Sequence, residues 1–251
     1  MERLARLEYY YGKDFVNIVR LLKTVLYHDA VFRIIKDGIV VRGLGSGDTQ
    51  YVEIFISSEY FNRYDLYSDS VDVSLDLDEL ERVFRGIRRD EHVTISVYTT
   101  CGDDITVYMN TEKINYTFYN AKPRYTSDIE INAEHKVKSV VNTELLYRIM
   151  KFIDESSSTY YDRIFEISAI KDQPFITIRS KNAEFKMIVT DLIMSSEDTI
   201  VSRYDSRPLS KFTHHLQKLS RYVTLMYDRD QPLGLLTHDH IKIRYLQAPV
   251  I

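Results

Sequence analysis

The stretch RPLSKFTHHLQKLSRYVTLMYD at residues 207–228 changes period in the middle. Through residue 219 the apolar side chains Phe212, Leu216 and Leu219 return every three or four positions, the spacing of one helix face. Pro208 suits the first turn of that helix, where its missing N–H leaves nothing unpaired. From Tyr222 the pattern alternates, as in a half-buried strand. The same change occurs at residues 76–98, DLDELERVFRGIRRDEHVTISVY. Leu77, Leu80, Phe84 and Ile87 fall 132 positions before Leu209, Phe212, Leu216 and Leu219, and Val93-Thr94-Ile95 falls 130 before Val223-Thr224-Leu225. The chain therefore reads as a duplicated unit.

Working outward, each copy gains a second helix. GKDFVNIVRLLKTVL at 12–26 carries the stripe Phe15, Ile18, Val19, Leu22 and Leu26; NTELLYRIMKFI at 142–153 carries Leu145, Ile149 and Phe152. Asp76 and Glu79 form a capping-box pattern for the helix that follows. Alternating runs fill the remainder: AVFRII, GIVVRGL, YVEIFIS and SVDVSL between the first two helices, RIFEISAI, FITIRS and EFKMIVT between the last two, and HVTISVY, DITVYMN, YVTLMYD and HIKIRYL after the second helix of each copy. The order helix, strands, helix, strands occurs twice, joined by the polar, Pro-containing YNAKPRYTSD at 119–128. The expected architecture is α+β, with domains at 1–117 and 131–251 and a connector at 118–130.

With 251 residues, 44% of them hydrophobic, the chain can bury an ample core. No window reaches 18 consecutive apolar residues, and the first 14 residues hold no continuous apolar run. The one cysteine, Cys101, has no partner for an internal disulfide, which places the expected site of action inside the cell, in cytoplasm, nucleoid or nucleus. Catalytic signatures do not assemble. GLGSGD at 43–48 lacks the Lys-Ser/Thr of a phosphate loop, and Cys101 in TCGDDI, a hairpin turn, has no basic neighbour. His214 and His215 diverge by about 100° on a helix. His238 and His240 share one side of HDH, where a solvated turn is the simpler reading. DESSSTYYD at 154–162 offers serines without a partner histidine. No enzyme activity, metal or cofactor is expected.

Charge is more informative. The formal net charge is −4, yet residues 12–26, 78–89, 142–153 and 210–221 carry +2, +1, +1 and +3; these sum to +7, leaving −11 for the rest. Lys13 and Arg20 lie opposite Phe15, with Asn17 and Thr24 beside them. Arg82, Arg85 and Arg89 lie opposite Leu80, and Lys211, His214, Lys218 and Arg221 opposite Phe212. One basic helix face is ordinarily a solvated surface. Four against an acidic background point to a polyanion, tracked by its backbone rather than read by its bases.

At this point the chain resembles a known family, the sliding clamps of the proliferating cell nuclear antigen type. LSKFTHHLQKLSRYVTLMYDRDQPLGLL at 209–236 is similar to that family's last helix, its Leu-Ser turn and strand, and its Pro-Leu. DGIVVRGLGSGDTQYVEIFI at 37–56 resembles its Asp-Gly strand pair, and Ala248-Pro249-Val250-Ile251 its Ala-Pro end. The resemblance runs through the whole sequence. It implies two clamp domains per chain, three chains per ring, and twelve helices lining a pore inside a continuous sheet. Twelve helices at about 10 Å spacing make a circumference of roughly 120 Å. Subtracting helix radii of about 5 Å leaves an opening of about 28 Å, wide enough for a duplex with a layer of water.

The resemblance also implies three sets of residues. Duplex DNA would be tracked by Arg82, Arg85, Arg148 and Lys151, which match the family's pore-facing basic positions, joined by Lys13, Arg20, Lys23, Arg89, Lys211, Lys218 and Arg221 from the basic helix faces. An apolar pocket for short peptides of DNA polymerase, clamp loader, flap endonuclease and DNA ligase would draw on Tyr51, Val52, Ile54, Pro123, Tyr125, Pro232, Leu233, Leu246, Ala248, Pro249 and Val250. Ring closure would pair the edge strand 111–118 of one chain with roughly 175–181 of the next, involving Tyr108, Ile114, Tyr116, Phe118, Phe175, Thr177 and Arg179. The glycine-rich loop GLGSGDTQY, the short connector and Leu246 in place of an aromatic depart from the family pattern. They fit a specialised subunit of a heterotrimer as well as a homotrimer. A checkpoint-type clamp subunit and a metal-dependent enzyme at the His-rich turn are the alternative readings.

Overall fold

The computed structural model describes residues 1–100, 104–123, 129–195 and 199–250, with Ser46 described by its backbone alone. The Cys101 turn and Tyr125 of the expected pocket lie outside the described residues. The chain divides into two compact units. The first comprises Met1–Gly45, Val52–Ile129 and His240–Lys242; the second comprises Ser46–Tyr51, Glu130–Asp239 and the stretch from Ile243 on. A linear division near residue 130 thus misses two exchanged segments.

In order, the first unit runs β1 (Glu2–Tyr9), α1 (Gly12–Leu26), β2 (Asp29–Ile35), β3 (Gly38–Leu44), β4 (Gln50–Ser57), β5 (Phe61–Leu66), β6 (Ser70–Asp76), α2 (Leu77–Phe84), β7 (Val93–Thr99), β8 (Ile105–Asn110) and β9 (Asn115–Phe118). The second runs β10 (Val137–Asn142), α3 (Thr143–Glu155), β11 (Ile164–Ala169), β12 (Phe175–Arg179), β13 (Glu184–Ile188), β14 (Asp191–Met194), β15 (Ile200–Asp205), α4 (Ser206–Leu216), β16 (Tyr222–Tyr227), β17 (Leu233–Leu236) and β18 (Ile241–Gln247). The strand orders are β5-β1-β7-β8-β9 and β4-β3-β2-β6 in the first unit, β14-β10-β16-β17-β18 and β13-β12-β11-β15 in the second. Every label in the second set is the first raised by nine. All the pairings described are antiparallel, for example β1 with β7 from Glu2↔Thr99 to Tyr9↔Val93. The duplication seen in two helices therefore extends to the whole topology.

Helix positions follow from capping and from which face is apolar. Asp76 accepts from the Glu79 N–H at 2.8 Å and starts α2. The carboxylate of Glu79 is taken by the Tyr116 hydroxyl on β9 instead of closing a capping box. α2 stops at Phe84, a turn before the expected Arg89, because Gly86 is a poor helix residue. Asp205 and Asn142 cap α4 and α3, accepting from Arg207 N–H at 2.9 Å and Leu145 N–H at 2.9 Å. Pro208 sits in the first turn of α4.

In the first unit α1 and α2 run antiparallel, with Phe15 edge-on to Phe84 at 6.0 Å. Gly12 N–H donates to Glu91 O at 3.0 Å, and a Cβ at Gly12 would stand 2.5 Å from that oxygen, so only glycine permits the approach. The core gathers Leu7, Phe15, Ile18, Phe32, Ile56 and Val73. Each large apolar side chain buried this way contributes about 1.5–3 kcal/mol. In the second unit Phe212 stacks on Tyr245 at 4.1 Å.

Three expectations need correction. The buried face of α3 is Leu146, Ile149, Met150 and Ile153, whereas Leu145 and Phe152 are 41% and 49% exposed. The helix has apolar residues on two faces, and periodicity alone selected the wrong one. Phe15, Ile18, Val19 and Leu22 match the buried Leu146, Ile149, Met150 and Ile153 at an offset of 131. Secondly, β12 lies between β11 and β13, so Thr177 and Arg179 are paired on both sides and Phe175 is paired with Ile188 of β13. Among the described residues the outer strand there is β13. Tyr108 likewise sits on β8, between β7 and β9. Thirdly, the sequence reading omitted β1, β5, β10, β14, β15 and β17.

Candidate nucleic-acid interface

The basic residues fall on the helix pair of each unit, but not equally available. Across α1 and α2, Arg20 meets Glu81 at 3.0 Å, and Lys23 meets Glu81 at 2.6 Å and Asp78 at 2.7 Å. Partial burial opposes ionisation of Glu81, but the hydrogen bonds from Lys23 and Arg20 outweigh it and hold its carboxyl below the usual range. Lys23 is raised, its burial being overcome by Asp78 and Glu81. Two of the expected DNA contacts are thus already neutralised. Asn17, expected on the outer face beside them, is buried. Lys13, Arg82, Arg85, Arg88 and Arg89 stand exposed, Arg82 with Glu79 at 3.5 Å. Arg88 escaped the sequence-derived set, although the Arg88-Arg89 pair was its signal.

In the second unit α3 and α4 are joined by Arg207–Asp154 at 3.2 Å and by Tyr147 on His214 at 5.1 Å. Arg148 pairs with Glu144 at 2.6 Å and Lys151 with Glu155 at 3.6 Å, both at i,i+4 on an exposed surface. Such pairs contribute about 0.3–0.5 kcal/mol and yield readily to a phosphate. Lys211 and Lys218 are exposed, and Arg221 lies over the Tyr222 ring at 5.3 Å. Burial, then Lys218 and Lys151, lower the His214 pKa, so at neutral pH its ring adds no charge. The surface supports loose cationic contacts without groove-reading geometry.

The expected pocket residues separate into two kinds. Tyr51, Val52, Ile54, Leu233 and Leu246 are buried in the packed core and offer no surface to a peptide. Pro123, Pro232, Ala248, Pro249 and Val250 keep partial exposure. The C-terminal segment is tied down within the second unit: Ala248 N–H donates to Thr49 O at 2.8 Å, and Val250 N–H to Arg203 O at 2.9 Å. Gln247 Nε2 donates to Asp205 O at 2.8 Å.

At the open strands, Tyr116 packs on Phe118 at 5.0 Å along β9, Ile114 just precedes it, and Phe185 of β13 meets Phe152 of α3 at 5.6 Å. Ile188, at the end of β13, is 77% exposed. At the His-rich turn His238 Nε2 is 2.7 Å from Thr224 Oγ1, while His240 packs on Tyr60 at 4.6 Å. Among the described residues no three metal-ligating side chains cluster, and no helix is long and apolar enough to cross a membrane.

No family model matches the chain, and no curated protein matches it. Solved structures do. Proliferating cellular nuclear antigen from Entamoeba histolytica superposes with a TM-score of 0.80 at 15% identity, over 99% of this chain and 100% of that one. The fold is that of a sliding clamp. PCNA from Thermococcus kodakaraensis gives 0.79 at 19% identity, over 98% and 100% of the two chains. The PCNA2–PCNA3 complex of Sulfolobus tokodaii gives 0.76 at 18%, over 97% and 98%. The clamp fold accounts for the paired units.

Proposed function

We propose that this chain is a subunit of a DNA sliding clamp, a non-enzymatic ring of three chains that encircles duplex DNA and recruits replication and repair enzymes. The observation that carries the reading is the clamp fold over 97–99% of the chain, both duplicated units included. The exposed cations of the helices and of the segments that follow α2 and α4 support it: Lys13, Arg82, Arg85, Arg88 and Arg89 in one unit, Arg148, Lys151, Lys211, Lys218 and Arg221 in the other. Contacts to phosphate of this kind hold a duplex yet slide, since moving one base pair exchanges one set for an equivalent set.

Ring closure would join β9 of one chain to β13 of the next, with Ile114, Tyr116 and Phe118 facing Phe185 and Ile188. The adjoining chain is a second copy or a sister subunit. Polymerase, clamp loader, flap endonuclease and ligase would dock short motifs on Pro232, Ala248, Pro249 and Val250. The buried Leu233 and Leu246 would support that surface from beneath. The test is retention on DNA. Loaded on nicked circular plasmid, alone or with sister subunits, the protein is expected to stay bound through gel filtration in high salt and to leave when the plasmid is linearised. Equal loss from circle and line would refute an encircling ring.

A further inference from the structure

We propose that the first unit carries a stacking platform for single-stranded nucleic acid, formed by Tyr10, Tyr11 and His92 beside Lys13, Arg88 and Arg89. The platform lies where β1 turns into α1 and meets the segment following α2. Tyr10 packs on His92 at 4.5 Å and on Tyr11 at 5.3 Å, and Tyr11 reaches the buried Tyr9 at 6.5 Å. Both outer tyrosines remain open to solvent, 43% and 42% exposed. The two segments are joined by Gly12 N–H on Glu91 O at 3.0 Å, and the segment after α2 is itself held by Arg88 N–H on Glu91 Oε2 at 3.1 Å. Partial burial pushes the Asp14 carboxyl up while Arg89 and Lys13 pull it back, which sets both cations at this same corner.

The duplication supplies an internal control. In the second unit the equivalent junction has the same backbone bond, Thr143 N–H to Arg221 O at 3.0 Å. There the two residues before the helix are Val141, buried, and Asn142, whose side chain caps α3. In the first unit they are Tyr10 and Tyr11, and Tyr11 occupies the N-cap position without a side-chain cap bond. The fold therefore does not need aromatics at this turn, and a tyrosine there forgoes a cap that asparagine provides. A local rule broken by rings that stay more than two-fifths exposed points to a functional surface.

The chemistry selects the occupant. Bases of a duplex are already stacked on each other, whereas those of a single strand present free faces to aromatic rings, and cations follow the strand's phosphates. A stacked base typically strengthens binding by roughly tenfold.

The test measures anisotropy of a fluorescein-labelled twelve-nucleotide oligo-dT, too short to need encirclement. The wild type, Tyr10→Ala/Tyr11→Ala, Tyr10→Phe/Tyr11→Phe and Tyr11→Asn are compared, with an unlabelled duplex of equal length as competitor. The alanine pair is expected to lose about tenfold in affinity. The phenylalanine pair should bind like wild type, and the duplex should compete weakly. Tyr11→Asn should raise the melting midpoint while weakening oligo-dT binding, opposite signs that a merely structural residue would not give. Unchanged binding by the alanine pair, or equal competition by duplex, would overturn the platform. Retention of the alanine pair on circular duplex is expected to match wild type; failure of the wild type itself to stay on circles would count against the clamp reading and leave the platform standing.

Discussion

Between α1 and α2, Glu81 draws in Lys23 at 2.6 Å and Arg20 at 3.0 Å, with Asp78 completing the group. All four side chains keep some access to water, so the network contributes on the order of 1 kcal/mol. Its larger effect is on what a duplex would meet, because both cations are already satisfied. Glu81→Gln removes one negative charge and keeps the shape. The variant is expected to bind duplex DNA more tightly, with the slope of log affinity against log salt steeper by about 1–2 for the phosphates gained. An unchanged slope in a salt titration would show that Arg20 and Lys23 do not reach DNA. The linkage has a definite sign. A carboxyl held below its ordinary value stabilises the fold above about pH 4.3 and loses that contribution as pH falls through the folded value. Acid unfolding of Glu81→Gln should therefore begin from a lower stability at neutral pH and show a shallower decline below about pH 4.5.

At the scale of elements, the two faces of α3 show what sequence can and cannot specify. Its capping by Asn142 and its length follow from local chemistry, but the choice between the stripes Leu145–Phe152 and Leu146–Ile153 depends on neighbours distant in the chain. The exposed stripe is not wasted. Phe152 meets Phe185 on β13, a strand whose outer edge is open among the described residues, and Ile188 stands exposed on that strand's other face. The β12/β13 confusion has the same origin: both strands alternate, and only their pairing partners tell inner from outer. Strand β1 was legible and went unread: its buried Ala5, Leu7 and Tyr9 alternate with Arg6 and Glu8 as a half-buried strand should. The exposed corner at Tyr10 and Tyr11 was illegible, since His92 is brought to it only by the fold. Assembly provides the check on β13. Ile188→Asp alters an exposed position and should cost the monomer less than about 0.5 kcal/mol. It places a charge on an apolar edge, and light scattering should register a loss of trimer mass, or of association with sister subunits. A full-size ring formed by this variant would remove β13 from the closure.

At the scale of the whole molecule, a protein of net charge −4 is proposed to hold a polyanion, and sign alone would predict repulsion. The resolution lies in distance. At physiological salt exposed charges are screened beyond about 8 Å, so a duplex responds to the helix surface beside it and not to the total. Arg82 and Arg85 are the sharpest test, being exposed in the last turn and at the C-cap of one short helix and outside the ion pairs that Glu81 makes with Arg20 and Lys23. Arg82→Glu with Arg85→Glu shifts the net charge by −4, from −4 to −8, without touching a buried side chain. The melting midpoint and the assembled mass should stay near wild type. The affinity for duplex DNA and the efficiency of loading should fall, and the salt dependence of binding should flatten by about 2 per chain if each arginine meets one phosphate. The contrast with linear DNA separates the two kinds of hold. Encirclement would survive the charge reversal on a closed circle, whereas the electrostatic grip would weaken on circle and line alike. A variant that slides and loads as well as wild type would move the DNA-facing surface away from α2 and onto the cations of α3 and α4.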